Sequence, residues 1–247
     1  MGFRAILFDI GDTLWHSQGA PPPDEFRRLA AERAAEWLAE AKIRGHDPQL
    51  VARVAWNAME AAMRHARATD LVEPDYAEVA RVALDCSGLT LDRDGAGRFL
   101  EAIYVSGSDG GKAPYEDAAD VLAELRRRGF LLATVTNRAF GRDRFRADLR
   151  DAGLDIGWDA ESVSVEVGHL KPHPAPFEHA LDILQVPADA ALMVGNSLAE
   201  DIAGAQRLGI ATAWRRSQPD AEGIQPDYVF DELSELLTLP RLAAAAL

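Results

Sequence analysis

The chain has 247 residues, 48% hydrophobic and 27% charged, with a net charge of −14 and a pI near 4.8. That length suits one large domain, or one domain with an insertion, around a sizeable core. The acidic balance repels phosphate backbones and anionic lipid, which argues against nucleic-acid and membrane partners and requires any anion site to be built locally.

Residues 3–9 read as a short apolar strand that ends in Asp9 and is stopped by Gly11. The breaker-rich loop SQGAPPP covers 17–23. Helical spacing then takes over at 24–42, 48–67, 74–86 and 92–104, with no convincing strand between. After GSDGGKAPY (107–115) the pattern alternates. Helices are predicted at 116–128, 141–153, 174–185 and 198–208, and a last one from Glu232. Strands are predicted at 130–137, 161–166, 191–195, 210–214 and 227–230. This alternation predicts an α/β fold: a Rossmann-like, doubly wound parallel sheet. Residues 1–16 and 110–247 form its core, and 17–109 an inserted α-helical cap.

No stretch is long enough to span a membrane, and AILF before Asp9 is too short for a signal peptide. The single cysteine, Cys86, reads as a small buried apolar side chain. These features predict a cytoplasmic protein. Trp37 and Trp56 read as packing residues of the cap, and Arg126–Arg128 as a solvated face at a helix end. His169 and His173 flank Lys171 without a third ligand at metal spacing.

In a doubly wound sheet, ligands bind outside the carboxyl ends of the strands. Four polar positions fall there: Asp9; Thr136 with Asn137; Lys171, in HLKPHP; and Asn196, Ser197, Glu200 and Asp201, in VGNSLAED. Each alone has an ordinary reading as a turn, cap or surface charge. Together they suit phosphoryl transfer. A carboxylate attacks phosphorus, and the aspartyl-phosphate is then hydrolysed by water. A hydroxyl, helix-start N–H groups and an ammonium neutralise the phosphoryl oxygens. A divalent cation removes the repulsion between carboxylate and phosphate, and Mg2+ suits such an oxygen-rich site.

These four segments resemble, in order, the four motifs of the haloacid dehalogenase-like (HAD) hydrolase superfamily, including KPHPAPFEHAL and VGNSLAEDIAGAQRLG. The helical insertion resembles the helix-bundle cap (C1) subfamily. The resemblance implies that Asp9 is the nucleophile, and that Thr136 and Asn137 contact the phosphoryl group. It implies that Lys171 neutralises charge on both, and that Asp9, the Gly11 carbonyl, Asn196 and Asp201 hold Mg2+. The substrate would be a small phosphorylated molecule.

Two positions depart from the family's phosphatases. Asn196 stands where an aspartate is usual, and its amide oxygen can still serve a metal. Gly11 replaces the aspartate that acts as general acid and base, a role worth roughly 100- to 10,000-fold. Asp12 is not that acid displaced, because the corresponding family position points away from the chemistry. The missing proton would come from a cap residue, the substrate or His16, or the substrate would have a good leaving group such as an acyl or aryl phosphate. Two alternatives follow. One is a 2-haloacid dehalogenase, which needs neither the second aspartate nor Mg2+ and whose halide could sit on Arg27, Arg28 or Arg33. The other is a catalytically impaired protein that binds a ligand or partner.

Overall fold

The computed structural model describes residues 2–19, 22–216 and 223–243. The chain divides into two compact units: Met1–Gln18 with Lys112–Leu247, and Gly19–Gly111.

The first unit begins with β1 (Ala5–Phe8), four apolar residues buried on both faces, as a central parallel strand requires. A short strand, β2 (Trp15–His16), follows the loop after Asp9. The second unit is helical: α1 (Pro23–Glu40), α2 (Pro48–Ala68), α3 (Tyr76–Cys86) and α4 (Arg93–Ile103). Each helix packs on the next, and α4 closes back on α1. Asp47, Asp75 and Asp92 cap three of the four N-termini, each carboxylate accepting a first-turn N–H. The bundle core is built mostly from small and medium side chains, among them Ala34, Leu38, Ala55, Met59, Ala80 and Leu84, with Phe99 its largest fully buried one. Trp37 packs edge-on against Phe99, and Trp56 against Phe26.

The chain then returns to the first unit. β3 (Ala113–Pro114) pairs antiparallel with β2, a ladder the sequence reading missed because two residues carry no periodicity. There follow α5 (Ala118–Arg127), β4 (Leu131–Thr136), α6 (Arg142–Asp151), β5 (Ala160–Val163), α7 (Ser164–Val167), α8 (Pro174–Leu184), β6 (Ala191–Gly195), α9 (Ala203–Gln206), β7 (Ala211–Arg215), β8 (Tyr228–Phe230) and α10 (Pro240–Ala243). The six long-range strands form one parallel sheet in the order β5-β4-β1-β6-β7-β8. Hydrophobic clusters lie on both faces, one around Phe8, Phe145 and Phe230, the other around Leu7, Phe177 and Met193. This is the doubly wound, Rossmann-like arrangement.

Five local expectations are corrected. The predicted strand at 161–166 ends at Val163, and Ser164 opens a helical turn closed by left-handed Gly168. There the Ser164 hydroxyl accepts from the Arg138 N–H, drawing the chain toward the end of β4. The predicted helix at 198–208 opens as a π turn over Leu198–Ile202, in which the Ser197 carbonyl accepts from both Asp201 and Ile202. The last helix is a 3-10 segment, Leu233–Thr238, with a Glu232/Glu235 capping box, before α10. Cys86 is exposed, not buried. Arg128 is not on a solvated face: it is mostly covered and donates to Glu124 and to the Leu237 carbonyl, anchoring the C-terminal segment.

Candidate active site

Sheet register places the polar residues. Phe8 pairs with Thr134 on one side and Val194 on the other. Asp9, one residue beyond Phe8, therefore lies between the ends of β4 and β6, near Thr136 and Asn196. β1 is also where the chain order reverses, with β4 and β5 on one side and β6, β7 and β8 on the other. The carboxyl end of that strand is the crevice in which doubly wound sheets bind ligands.

Lys171 is the centre of the cluster. It sits between α7 and α8, its bond to Pro172 is cis, and its side chain is buried. Its three ammonium protons go to Asp9 Oδ1 at 2.7 Å, Asp201 Oδ1 at 2.7 Å and the Val135 carbonyl at 2.6 Å. Burial alone would lower its pKa. The carboxylates of Asp201 and Asp9 outweigh burial and hold the pKa above the ordinary lysine value. Burial and the Asp9 charge raise Asp201, while Lys171 and the Ser197 N–H oppose the rise. Removing one member of such a group leaves a buried charge without compensation.

Asn137 is not aimed outward. Its amide accepts from the Lys171 N–H at 2.7 Å and donates to the Lys171 carbonyl at 3.1 Å and Glu200 Oε2 at 3.2 Å. The side chain thus staples the end of β4 to the Lys171 turn. Thr136 is nearly buried, and among the described residues its hydroxyl makes no hydrogen bond, so it is available to an incoming group. Asp201 owes its position to Gly195, where an added Cβ would stand 2.5 Å from Asp201 Cβ and Cγ. The π turn carries Asp201 inward to where its Oδ2 accepts from the Ser197 N–H.

Thr13 was missed by the sequence reading. It is fully buried, donates to Asp9 Oδ2 at 3.0 Å and lies 3.4 Å from Asn196 Oδ1. One hydroxyl therefore gathers the two oxygens that a cation would need. The signal was the i, i+4 spacing to Asp9. Arg215 was also missed. It is buried with its guanidinium 3.4 Å from the Tyr115 ring centre, and it donates to the Asp12 carbonyl, pinning the turn after Asp9. Asp12 adopts a left-handed φ of 55° and lines, with His16 and Arg215, an open cleft of about 900 Å³. Gly11 is exposed, and a Cβ added there meets no atom within 4 Å.

The donor set offered to a metal is all oxygen: Asp9, Asn196 and backbone carbonyl. Among the described residues no three His, Cys, Asp or Glu group at metal spacing, which is no obstacle to a set containing an amide and a carbonyl. Such donors fit Mg2+. Asp201 has both oxygens engaged and no exposed surface, whereas Asp9 keeps 8% exposure. The histidines beside Lys171 stack on one another at 3.9 Å, and His173 Nδ1 accepts from the Ala175 N–H at the start of α8. In the helical unit, Arg27 pairs with Asp24, Arg28 with Glu32, and Arg33 with Asp109 and the Tyr104 carbonyl.

A Rossmann-like sheet with an aspartate at the reversal strand, a buried lysine against it and a second carboxylate behind defines a class of α/β hydrolase. The family model for haloacid dehalogenase-like hydrolases matches residues 3–209, and the chain belongs to that family. Over 129 residues it is 33% identical to the pyrophosphatase PpaX of Bacillus mycoides, a match covering 51% of this chain and 59% of the relative. Among solved structures, a 2-haloacid dehalogenase from Pseudomonas syringae pv. Tomato DC3000 is 25% identical with a TM-score of 0.66, covering 98% of each chain. The HAD-hydrolase YfnB of Bacillus subtilis, described as bound to magnesium, is 22% identical with a TM-score of 0.59, covering 96% of this chain and 98% of that one. The YfnB likeness speaks to the fold alone.

Proposed function

We propose that the protein is a Mg2+-dependent hydrolase of a small phosphorylated molecule, acting through an aspartyl-phosphate on Asp9. The observation that carries this reading is the Asp9–Lys171–Asp201 cluster. A carboxylate at the reversal strand is fixed through both oxygens, by Lys171 on one side and Thr13 on the other, with part of its surface still open. Orientation of this kind removes much of the entropic barrier to in-line attack. Lys171 holds one Asp9 oxygen by a 2.7 Å hydrogen bond and so orients the carboxylate for attack on phosphorus.

Thr136 offers its hydroxyl to the phosphoryl oxygens. Asn137 acts one step back, holding the Lys171 turn by its backbone. Asp9, the Gly11 carbonyl and Asn196 would hold Mg2+, and Asp201 supports the site through Lys171 and the Ser197 N–H. When bound, the ion supplies charge neutralisation between nucleophile and phosphate. The helical unit is proposed as the element that selects substrate. Similarity to a pyrophosphatase supports phosphate over halide as the leaving chemistry.

A panel of phosphorylated metabolites, inorganic pyrophosphate and 2-haloacids, assayed with Mg2+ and with EDTA, separates the readings. Phosphate release that stops in EDTA and in Asp9→Asn is expected. Halide release that survives EDTA would sink the proposal in favour of a dehalogenase.

A further inference from the structure

Gly11 leaves the site without the acid that should protonate the leaving oxygen, so another side chain must take that part. His16 packs on Tyr115, its Nδ1 accepts from the Gln18 N–H, and it lines the same cleft as Asp12. Glu200 is bound by Asn137. Arg138 pairs with Asp148, and a guanidinium does not give up its proton. Lys112 is different. Among the described residues it makes no ion pair and no hydrogen bond. Its ammonium stands 5.5 Å from the centre of the Trp15 ring, and Trp15 is bridged to Gly11. The β2–β3 ladder fixes this placement, since His16 pairs with Ala113, the residue after Lys112.

From this juxtaposition we infer that Lys112 is the proton donor and acceptor of the reaction, standing in for the carboxylic acid that Gly11 lacks. The inference rests on the phosphohydrolase reading above. In the first step the Asp9 Oδ–P bond forms and the bond from phosphorus to the leaving oxygen breaks. The departing oxygen takes a proton from the Lys112 ammonium. In the second step the oxygen of water bonds to phosphorus and the Asp9 Oδ–P bond breaks. The proton of that water goes to the Lys112 amine, which restores the ammonium. The charged groups facing Lys112 are Arg138, Asp148, Asp12 and Asp9. More than a third of the Lys112 surface is exposed, yet the atoms crowded around the ammonium, followed by the Arg138 charge, lower its pKa from the ordinary lysine value, and the three carboxylates only partly offset this. A lysine shifted down is better matched to donating near neutral pH. The open space at Gly11 leaves room for the leaving group beside it.

The test compares wild type, Lys112→Gln and Lys112→Arg on p-nitrophenyl phosphate, whose leaving group needs little protonation, and on glycerol 2-phosphate, whose leaving group does. With Mg2+ present, both variants should lose ~100-fold or more in kcat/KM on glycerol 2-phosphate and change only a few-fold on p-nitrophenyl phosphate. The alkaline limb of the glycerol 2-phosphate pH profile should disappear in Lys112→Arg. Adding Gly11→Asp to Lys112→Gln should restore glycerol 2-phosphate turnover. Full activity in Lys112→Arg would overturn the inference, because charge alone would then suffice. Equal loss on both substrates would overturn it too, because the residue would then be a positioning one. Wild-type protein inert on both substrates would instead refute the phosphohydrolase reading beneath it.

Discussion

The helical unit pairs its charges at or near the surface, whereas the α/β unit has surface pairs and a buried charged cluster as well. In the helical unit, arginines and carboxylates meet at or near the surface: Arg28 with Glu32, Arg81 with Glu78, Arg93 with Asp75. Such pairs are solvated and each contributes little. In the α/β unit, Asp9, Lys171 and Asp201 are drawn out of water at the end of the sheet, where a missing partner is costly. Opposite charges thus meet in solvent in one place and hold a buried strand-end carboxylate tightly in another. Burial sets the difference, and the sheet supplies it.

Perturbing each unit in turn sharpens this contrast. Lys171→Ala leaves two buried carboxylates facing each other. It should lower unfolding free energy by roughly 3–5 kcal/mol and abolish turnover, read by denaturant melts and phosphate release. Its helical counterpart, Arg93→Ala, should cost less than about 1 kcal/mol. If the two losses are equal, the contrast is wrong. Gly195→Ala forces a methyl against Asp201 and should cost about 1–3 kcal/mol, with loss of activity. Gly97→Ala in α4 places its methyl at an ordinary 3.5 Å from Ala77 Cβ, and it removes a helix-weakening glycine. It should stabilise the protein by about 0.5–1 kcal/mol.

The smallest effect is a pH dependence confined to the bundle. The hydrogen bond from Arg93 holds the Asp75 carboxyl below its usual value of 3.8; slight burial opposes this, and the Glu78 N–H adds to it. A depressed carboxyl stabilises the folded state above the unfolded pKa, and that contribution is lost as pH falls through the folded value. The stability difference between wild type and Asp75→Asn should therefore shrink by a few tenths of a kcal/mol as pH drops below about 4, because the site is exposed. A difference that grows on acidification would reverse the sign argued here.

The contrast also explains what could be read from the sequence. The placement of Asp9, Thr136 and Asn196 was legible because strand ends are marked by apolar runs that stop, whereas Lys171 lies off the strands, between α7 and α8, and was legible only from HLKPHP. The bundle helices were legible from their period, and Asp47, Asp75 and Asp92 mark their starts. Contacts made only by tertiary folding were not legible. Lys112 meets Trp15 across about a hundred residues, and Arg215 meets Asp12 across 203. The staple from the Asn137 side chain to the Lys171 backbone was not legible either, because it joins the end of β4 to a turn 34 residues on. The π turn escaped notice because a helix period does not register one extra residue in a turn.

Covalent phosphorylation of Asp9 is the step on which the proposed mechanism turns. Rapid acid quench of the enzyme during turnover of a phosphate substrate with Mg2+, followed by peptide mass spectrometry, tests it directly. One phosphoryl group is expected on the peptide containing Asp9, absent in EDTA and absent in Asp9→Asn. Turnover with no phosphorylated peptide, or with the group on another residue, would contradict it.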